Sequence, residues 1–173
     1  MASTATIRDI FEQSDQGQVR ADLTAFFGPQ GGEYLRVYDK MRRDSKIWVW
    51  SWSWPGFFAP IAWMFYRRLY LYGAICVLIP VVATLVFGAA DGGIGFAIVA
   101  ALSVKAWYVS AGLRRIAEAD RLELQGDERR DYLRHMGGVS PAAGWLVGLL
   151  QLLLLMYLVS QTFADALGSK GNF

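Results

Sequence analysis

Residues 47–88 read IWVWSWSWPGFFAPIAWMFYRRLYLYGAICVLIPVVATLVFG. Tryptophan stands at every second position, Trp48, Trp50, Trp52 and Trp54. An apolar, aromatic run over residues 57–66 follows and stops at Arg67 and Arg68. From Leu69 to Gly88 no residue is charged. In a helix that stretch, rising ~1.5 Å per residue, covers the ~30 Å hydrocarbon core of a bilayer. Indole rings settle at headgroup level, and basic residues just outside a span mark its cytoplasmic side. The stretch therefore predicts an aromatic-basic interfacial segment over 47–68 and a transmembrane helix over 69–88. Within the first, residues 57–66 are too few to span, which leaves a helix lying flat on the interface or half-inserted. Trp48, Trp50, Trp52, Trp54, Phe57, Phe58, Trp63, Tyr66, Arg67, Arg68 and Tyr70 are the residues expected to meet the membrane interface or a partner there.

The rest of the chain supports a membrane reading. Of its 173 residues, 54% are hydrophobic, above the roughly 45–50% of a soluble domain. Two more apolar stretches, 94–112 and 141–163, follow the first. Ser140-Pro141 opens the last of them as a cap followed by proline at the first helical position. Pro80 is a candidate kink in the first span. The expected fold is an all-α integral membrane protein with three transmembrane helices (69–88, 94–112 and 141–163). Amphipathic cytoplasmic helices over 1–46 precede them, a charged cytoplasmic loop occupies 113–140, and a short periplasmic tail occupies 164–173.

Orientation follows from charge. Fifteen of the seventeen basic residues lie before Leu69 or between Gly112 and Pro141; only Lys105 and Lys170 fall elsewhere. Both basic regions belong in the cytoplasm by the positive-inside rule. The N-terminus is then cytoplasmic, and the AADGG turn (89–93) and the C-terminus lie on the far side. The first forty residues carry no apolar core with a small-residue cleavage site, so that segment is expected to stay where it is made.

In the N-terminal region, Thr6 and Asp9 suggest a capping box for a short helix over 7–13. Val19, Leu23, Phe26 and Phe27 share one face of a helix over 18–27, closed by Gly28-Pro29. Gly31-Gly32 reads as a hinge. Tyr34, Val37, Tyr38 and Met41 share a face of a helix over 33–43, where Asp39 is spaced to pair with Arg43. Residues 44–55 carry few helix signals; an extended backbone would put the four indoles on one side. Residues 116–124 should prolong the second span, Gly126 should break it, and Asp127 can cap a short helix that ends at Gly137-Gly138.

Three pieces then resemble a bacterial family catalogued only as domain of unknown function 2628. FFGPQGGEYLRVYDKM (26–41) is similar to its phenylalanine-glycine turn, aromatic-leucine pair and amphipathic helix. WSWPGFFAPIAWMFYRRLY (52–70) is similar to its tryptophan-rich opening, paired phenylalanines, Pro-x-x-Trp and Tyr-Arg-Arg/Lys-x-Tyr. LRHMGGVS (133–140) resembles its Leu-x-x-x-Gly-Gly-x-Ser element. Pro55 and Gly56 stand where small or alanine-type residues are more usual, and Lys105-Ala106-Trp107-Tyr108 where an asparagine near the tyrosine is. The resemblance implies a bacterial inner-membrane protein and transfers no catalytic residue.

Site chemistry is sparse. The lone His135 has no second histidine with which to ligate a metal, and the single Cys76 excludes an internal disulfide. Glu118, Asp120, Glu123, Asp127, Glu128 and Asp131 interleave with arginines at helical spacing, as on a salt-bridged solvated face. Gly28 to Gly32 lacks the Lys-Ser/Thr of a phosphate loop. Lys105 has two readings, a lysine snorkelling to the interface or a functional intramembrane charge. No catalytic, cofactor-binding or metal residue is assigned, and no cofactor. The expected partners are the lipid bilayer, with anionic lipid at the cytoplasmic face, and a larger membrane complex or a second copy; nucleic acid is not among them. The favoured function is a non-enzymatic accessory subunit or assembly module in the bacterial inner membrane. A small homo-oligomeric transporter or channel, with Lys105 and Gln151 facing a pore, is the alternative.

Overall fold

The computed structural model describes residues 10–12, 15–29, 31–87 and 93–169. Of the expected first helix only residues 10–12 are described, and they are helical. Its capping box, the AADGG turn up to residue 92 and the last four residues lie outside the described range. Every element among the described residues is helical: α1 (Gln16–Phe27), α2 (Gly32–Arg43), α3 (Trp54–Phe58), α4 (Pro60–Tyr66), α5 (Tyr70–Phe87), α6 (Gly93–Arg121), α7 (Gly126–Met136) and α8 (Pro141–Ser169).

Local chemistry sets most of these ends. Asp15 caps α1 by accepting from Gly17 N at 2.8 Å. Gly28, at φ 75°, closes the helix by donating its N–H to Thr24 O, a left-handed position that glycine adopts without a Cβ penalty. α6 runs without a break through Gly112 and ends at Arg121, and α5 runs through Pro80 as helix. α7 begins one residue before Asp127, with Gln125 as its N-cap, so Asp127 lies inside the first turn and favours the positive helix end there.

The one long apolar segment of the sequence that splits is residues 54–66. A single interfacial helix over 57–66 was expected; instead α3 and α4 are separate, with Ala59 at φ −143°, ψ 62° between them. Pro60 is the reason. It has no N–H to donate into a continuing helix, and its ring pushes the preceding residue out of the helical region.

α6 is the hub. α1, α2, α3, α4 and α7 all pack against it, α5 packs on α4, and α4 lies along α8. Val19, Leu23, Phe26 and Phe27 of α1 and Tyr34, Val37, Tyr38 and Met41 of α2 are all buried, so both stripes read from the sequence meet inside the protein. They close on Val104, Tyr108, Val109, Leu113 and Ile116 of α6. α6 and α8 are long and apolar enough to cross a membrane, and they differ in surroundings. The apolar window of α6 is 56% buried within the protein and that of α8 is 0% buried. The C-terminal half of the expected second span is therefore a core helix of the N-terminal bundle.

Salt bridges between helices tie the bundle together. Arg129 of α7 grips the buried Asp22 of α1 through Nε at 2.8 Å and Nη2 at 2.7 Å, and reaches Asp120 of α6 at 2.6 Å. Asp39 pairs with Arg20 of α1 and not with Arg43. The two helices lie face to face, so a partner across the interface displaces the one a helical turn away.

Candidate functional site

Residues 46–53 are non-helical and thread along α6. Ser51 N donates to Leu102 O at 3.1 Å, and Lys40 Nζ reaches Trp50 O at 3.5 Å. The extended backbone turns Val49 and Ser53 inward, both buried, and Trp50, Trp52 and Trp54 outward, all exposed. That period of two is the pleat of an extended chain. Ser53 then caps α3, accepting from Gly56 N at 3.3 Å, with Pro55 in the first turn. Gly56 lies flat on α6: a Cβ there would sit 2.7 Å from Val104 Cγ2.

The indoles form an outer ridge of two ring groups. Trp48 meets Trp50 edge-on at 5.7 Å and Trp107 of α6 at 5.8 Å. Trp52 meets Trp54 edge-on at 5.3 Å, and Trp54 stacks on Phe58 at 6.0 Å. From Phe58 the chain turns back through α4, which runs antiparallel to α8. Phe58 and Ala59 share a groove with Gly148, Gln151, Leu152 and Leu155, whereas Tyr66 O accepts from Ser140 N at 2.7 Å at the start of α8. The eleven residues between Ser140 and Gln151 rise about 16 Å along that helix. The segment 46–66 is thus a hairpin whose tip stands well along α8 and whose second arm returns to the Ser140 level. In the groove beside the tip, Gln151 Oε1 is buried without a hydrogen-bond partner.

Not every residue expected at the interface is on this ridge. Trp50, Trp52, Trp54, Phe58, Arg68 and Tyr70 are exposed, Trp48, Phe57 and Tyr66 are part-buried, and Trp63 and Arg67 are buried. The last two lie inside the fold. Trp63 turns inward toward Tyr34 and Tyr108. Arg67, which ends α4, lies over four rings, with Cζ 4.8 Å from the Tyr34 centroid, 5.2 Å from Tyr108, 5.5 Å from Tyr66 and 6.0 Å from Trp63. A weakly hydrated, planar guanidinium is the cation best suited to such a position, each ring face contributing about 0.5–2 kcal/mol when desolvated. No carboxylate pairs with it among the described residues, and its Nε has no hydrogen-bond partner. Arg68 takes the left-handed φ of 58° that lets Leu69 N reach back to Met64 O at 2.8 Å, and its Nη1 donates to His135 O at 2.6 Å.

Tyr108 stands at the centre of this cluster, with Tyr34 edge-on at 4.9 Å and Phe27 at 5.2 Å. Its hydroxyl donates to Gly138 O at 3.2 Å. Burial pushes the Tyr34 phenol up to about 12, against the pull of Arg67, which favours the phenolate. Lys105 pairs with Glu33 of α2 at 2.8 Å. Its counter-charge comes from the N-terminal helices, not from another apolar span. Lys105 and Gln151 line separate cavities. Among the described residues no three His, Cys, Asp or Glu side chains come together to hold a metal. The loop carboxylates Glu118, Asp120, Asp127 and Asp131 each hold an arginine.

Fold and site together define an all-helical protein with long apolar helices, an aromatic hairpin and a cation-centred aromatic core. The chain belongs to the family described as Protein of unknown function (DUF2628), whose sequence model matches residues 12–119. The matched region contains α1, α2, the hairpin, α5 and nearly all of α6; the Gly-Gly element at 133–140 lies outside it. No curated protein and no solved structure matches the chain.

Proposed function

We propose that the chain is a non-enzymatic bacterial inner-membrane protein that serves a larger membrane complex as accessory subunit or assembly module. In this reading α5, α6 and α8 cross the bilayer, the N-terminus is cytoplasmic and the C-terminus periplasmic. The hairpin enters from the cytoplasmic face beside α8, and the bilayer with its anionic lipids is the first partner. The observation that carries the docking role is the exposed ridge of Trp50, Trp52, Trp54 and Phe58 on a backbone locked against α6. Anchoring needs aromatic rings at headgroup level, whereas this ridge ends at a tip well along α8. It ends beside a groove lined by the amide of Gln151. Aromatic anchors beside a polar amide in an otherwise apolar groove suit a neighbouring transmembrane helix.

A photo-crosslinking residue placed at Trp54 or Phe58 in cells should give one discrete adduct heavier than a dimer of this chain, and Gln151→Leu should weaken it. Adducts with lipid alone would defeat the docking role. The groove would equally accept a second copy, as in a small homo-oligomeric transporter or channel, and an adduct at twice the chain mass would transfer the site to that reading. Labelling of cysteines introduced at Glu123 and Gly92, in a Cys76→Ala background, should place them on opposite sides of the membrane. Labelling from the same side would overturn the three-span arrangement.

A further inference from the structure

Below the aromatic core, where α5 begins and α6 passes it, lies a cavity of about 470 Å³. Its lining carries five arginines, Arg67, Arg68, Arg114, Arg115 and Arg121, against one carboxylate, Glu118. That carboxylate is already engaged with Arg115. Arg67 is 8% exposed, has no carboxylate partner among the described residues and leaves its Nε unpartnered. Arg68 spends one donor on His135 O and Arg114 one on the Tyr72 hydroxyl, at 2.7 Å. A guanidinium has five N–H donors, so most of the Arg68 and Arg114 forks remains available. Concentrated, unneutralised arginine inside a concave site calls for an anion with several acceptor oxygens. Phe26, Leu69, Leu71 and Met136 are among its apolar lining, and from Leu71 the exposed Ile75, Leu78 and Val82 continue along one face of α5.

We infer that this cavity is a binding site for the phosphodiester headgroup of an anionic phospholipid, whose acyl chains lie along the Leu71–Ile75–Leu78 face of α5. The inference rests on the reading above only in placing α5 in the bilayer. A free phosphate would satisfy the arginines but would leave that apolar track unused. A zwitterionic headgroup would bring a cation among five guanidinium groups. Basic pockets between membrane helices on the cytoplasmic side recognise lipid in this way.

Native mass spectrometry of the full chain in mild detergent tests the site. With phosphatidylglycerol and phosphatidylcholine of equal acyl chains in competition, the protein should retain one phosphatidylglycerol per chain. Arg68→Gln/Arg114→Gln/Arg121→Gln should lower that retention by at least about tenfold. Arg42→Gln/Arg43→Gln/Arg130→Gln, which removes equal charge away from the cavity, should stay within about twofold of the parent. Arg121→Glu alone, at an exposed helix end, gives the same direction should the triple variant not fold. Equal loss in both triple variants would reduce the effect to diffuse charge and overturn the site, as would equal retention of the two lipids. Thermal stabilisation of lipid-free protein by inorganic phosphate, without phosphatidylglycerol retention, would reassign the cavity to a free anion. Trp50→Ala/Trp52→Ala/Trp54→Ala should leave lipid retention unchanged, so loss of partner docking and loss of this site can be told apart.

Discussion

At the residue scale, the surroundings of Gly137 and Tyr34 have direct consequences. A Cβ on Gly137 would fall 2.1 Å from Phe26 O, a backbone atom that also accepts from Gly138 N at 2.9 Å. Backbone cannot step aside as a side chain can. Gly137→Ala is expected to cost about 3 kcal/mol or more, seen as a large drop in the thermal midpoint of the purified protein; a drop of a degree or less would contradict the contact. The second position is Tyr34. Its phenol ionises at about 12 in the folded protein against 10.0 unfolded. The neutral form is favoured by folding, so the stability it contributes is complete below pH 10 and is lost as pH rises toward about 12. An ultraviolet absorbance titration should show fewer phenolates in this window for the parent than for the unfolded chain, because burial also raises the phenols of Tyr38 and Tyr132. Tyr34→Phe should remove one of these late tyrosines. Because the Arg67 charge lowers the value, Arg67→Met should delay the ionisation further.

At the scale of the element, the alternation of tryptophan was legible, because an extended strand needs only period two to segregate its faces. The two amphipathic stripes of α1 and α2 were legible for the corresponding reason at period 3.6. The break at Pro60 was also in the sequence as a proline within an apolar run. What periodicity could not reveal is which side of a short, uniformly aromatic helix turns inward. Trp63 and Arg67 lie on the inner side of α4 only because Tyr108 and Tyr34 arrive there from elsewhere in the chain. The counter-ion of Lys105 was hidden likewise, since Glu33 becomes its neighbour only after α2 folds onto α6. The hairpin makes a graded prediction. In variants retaining one ridge tryptophan, with the others replaced by phenylalanine, quenchers fixed at increasing depth along lipid chains should reach Trp48 from the headgroups and Trp54 from deeper positions. One common depth for all four indoles would mean that the segment lies flat.

For the whole molecule, the expected three spans with a separate cytoplasmic preface become a bundle in which the preface wraps the second apolar helix. Charge patterning could assign sides but not this sharing, because positions such as Val104 and Val109 are equally apolar against lipid or protein. The closure of the bundle is the Asp22–Arg129 pair, with 1% and 11% side-chain exposure. Removing one member of a buried pair strands the other, at about 3–5 kcal/mol. Arg129→Met should therefore destabilise strongly, and Asp22→Leu/Arg129→Met should recover much of the loss. A double variant as unstable as the sum of the singles would show that the pair does not act as a unit.

That pair also joins residues 107 positions apart in the chain. A ribosome adding 5–20 residues each second takes roughly 5 to 20 seconds to pass from one to the other. Throughout that interval the newborn α1 has its apolar stripe made and its clasp not yet synthesised. Its first shelter must come from α2, from the membrane surface or from whatever attends the exit tunnel. The order of manufacture leaves the start of this protein open until its end is nearly complete.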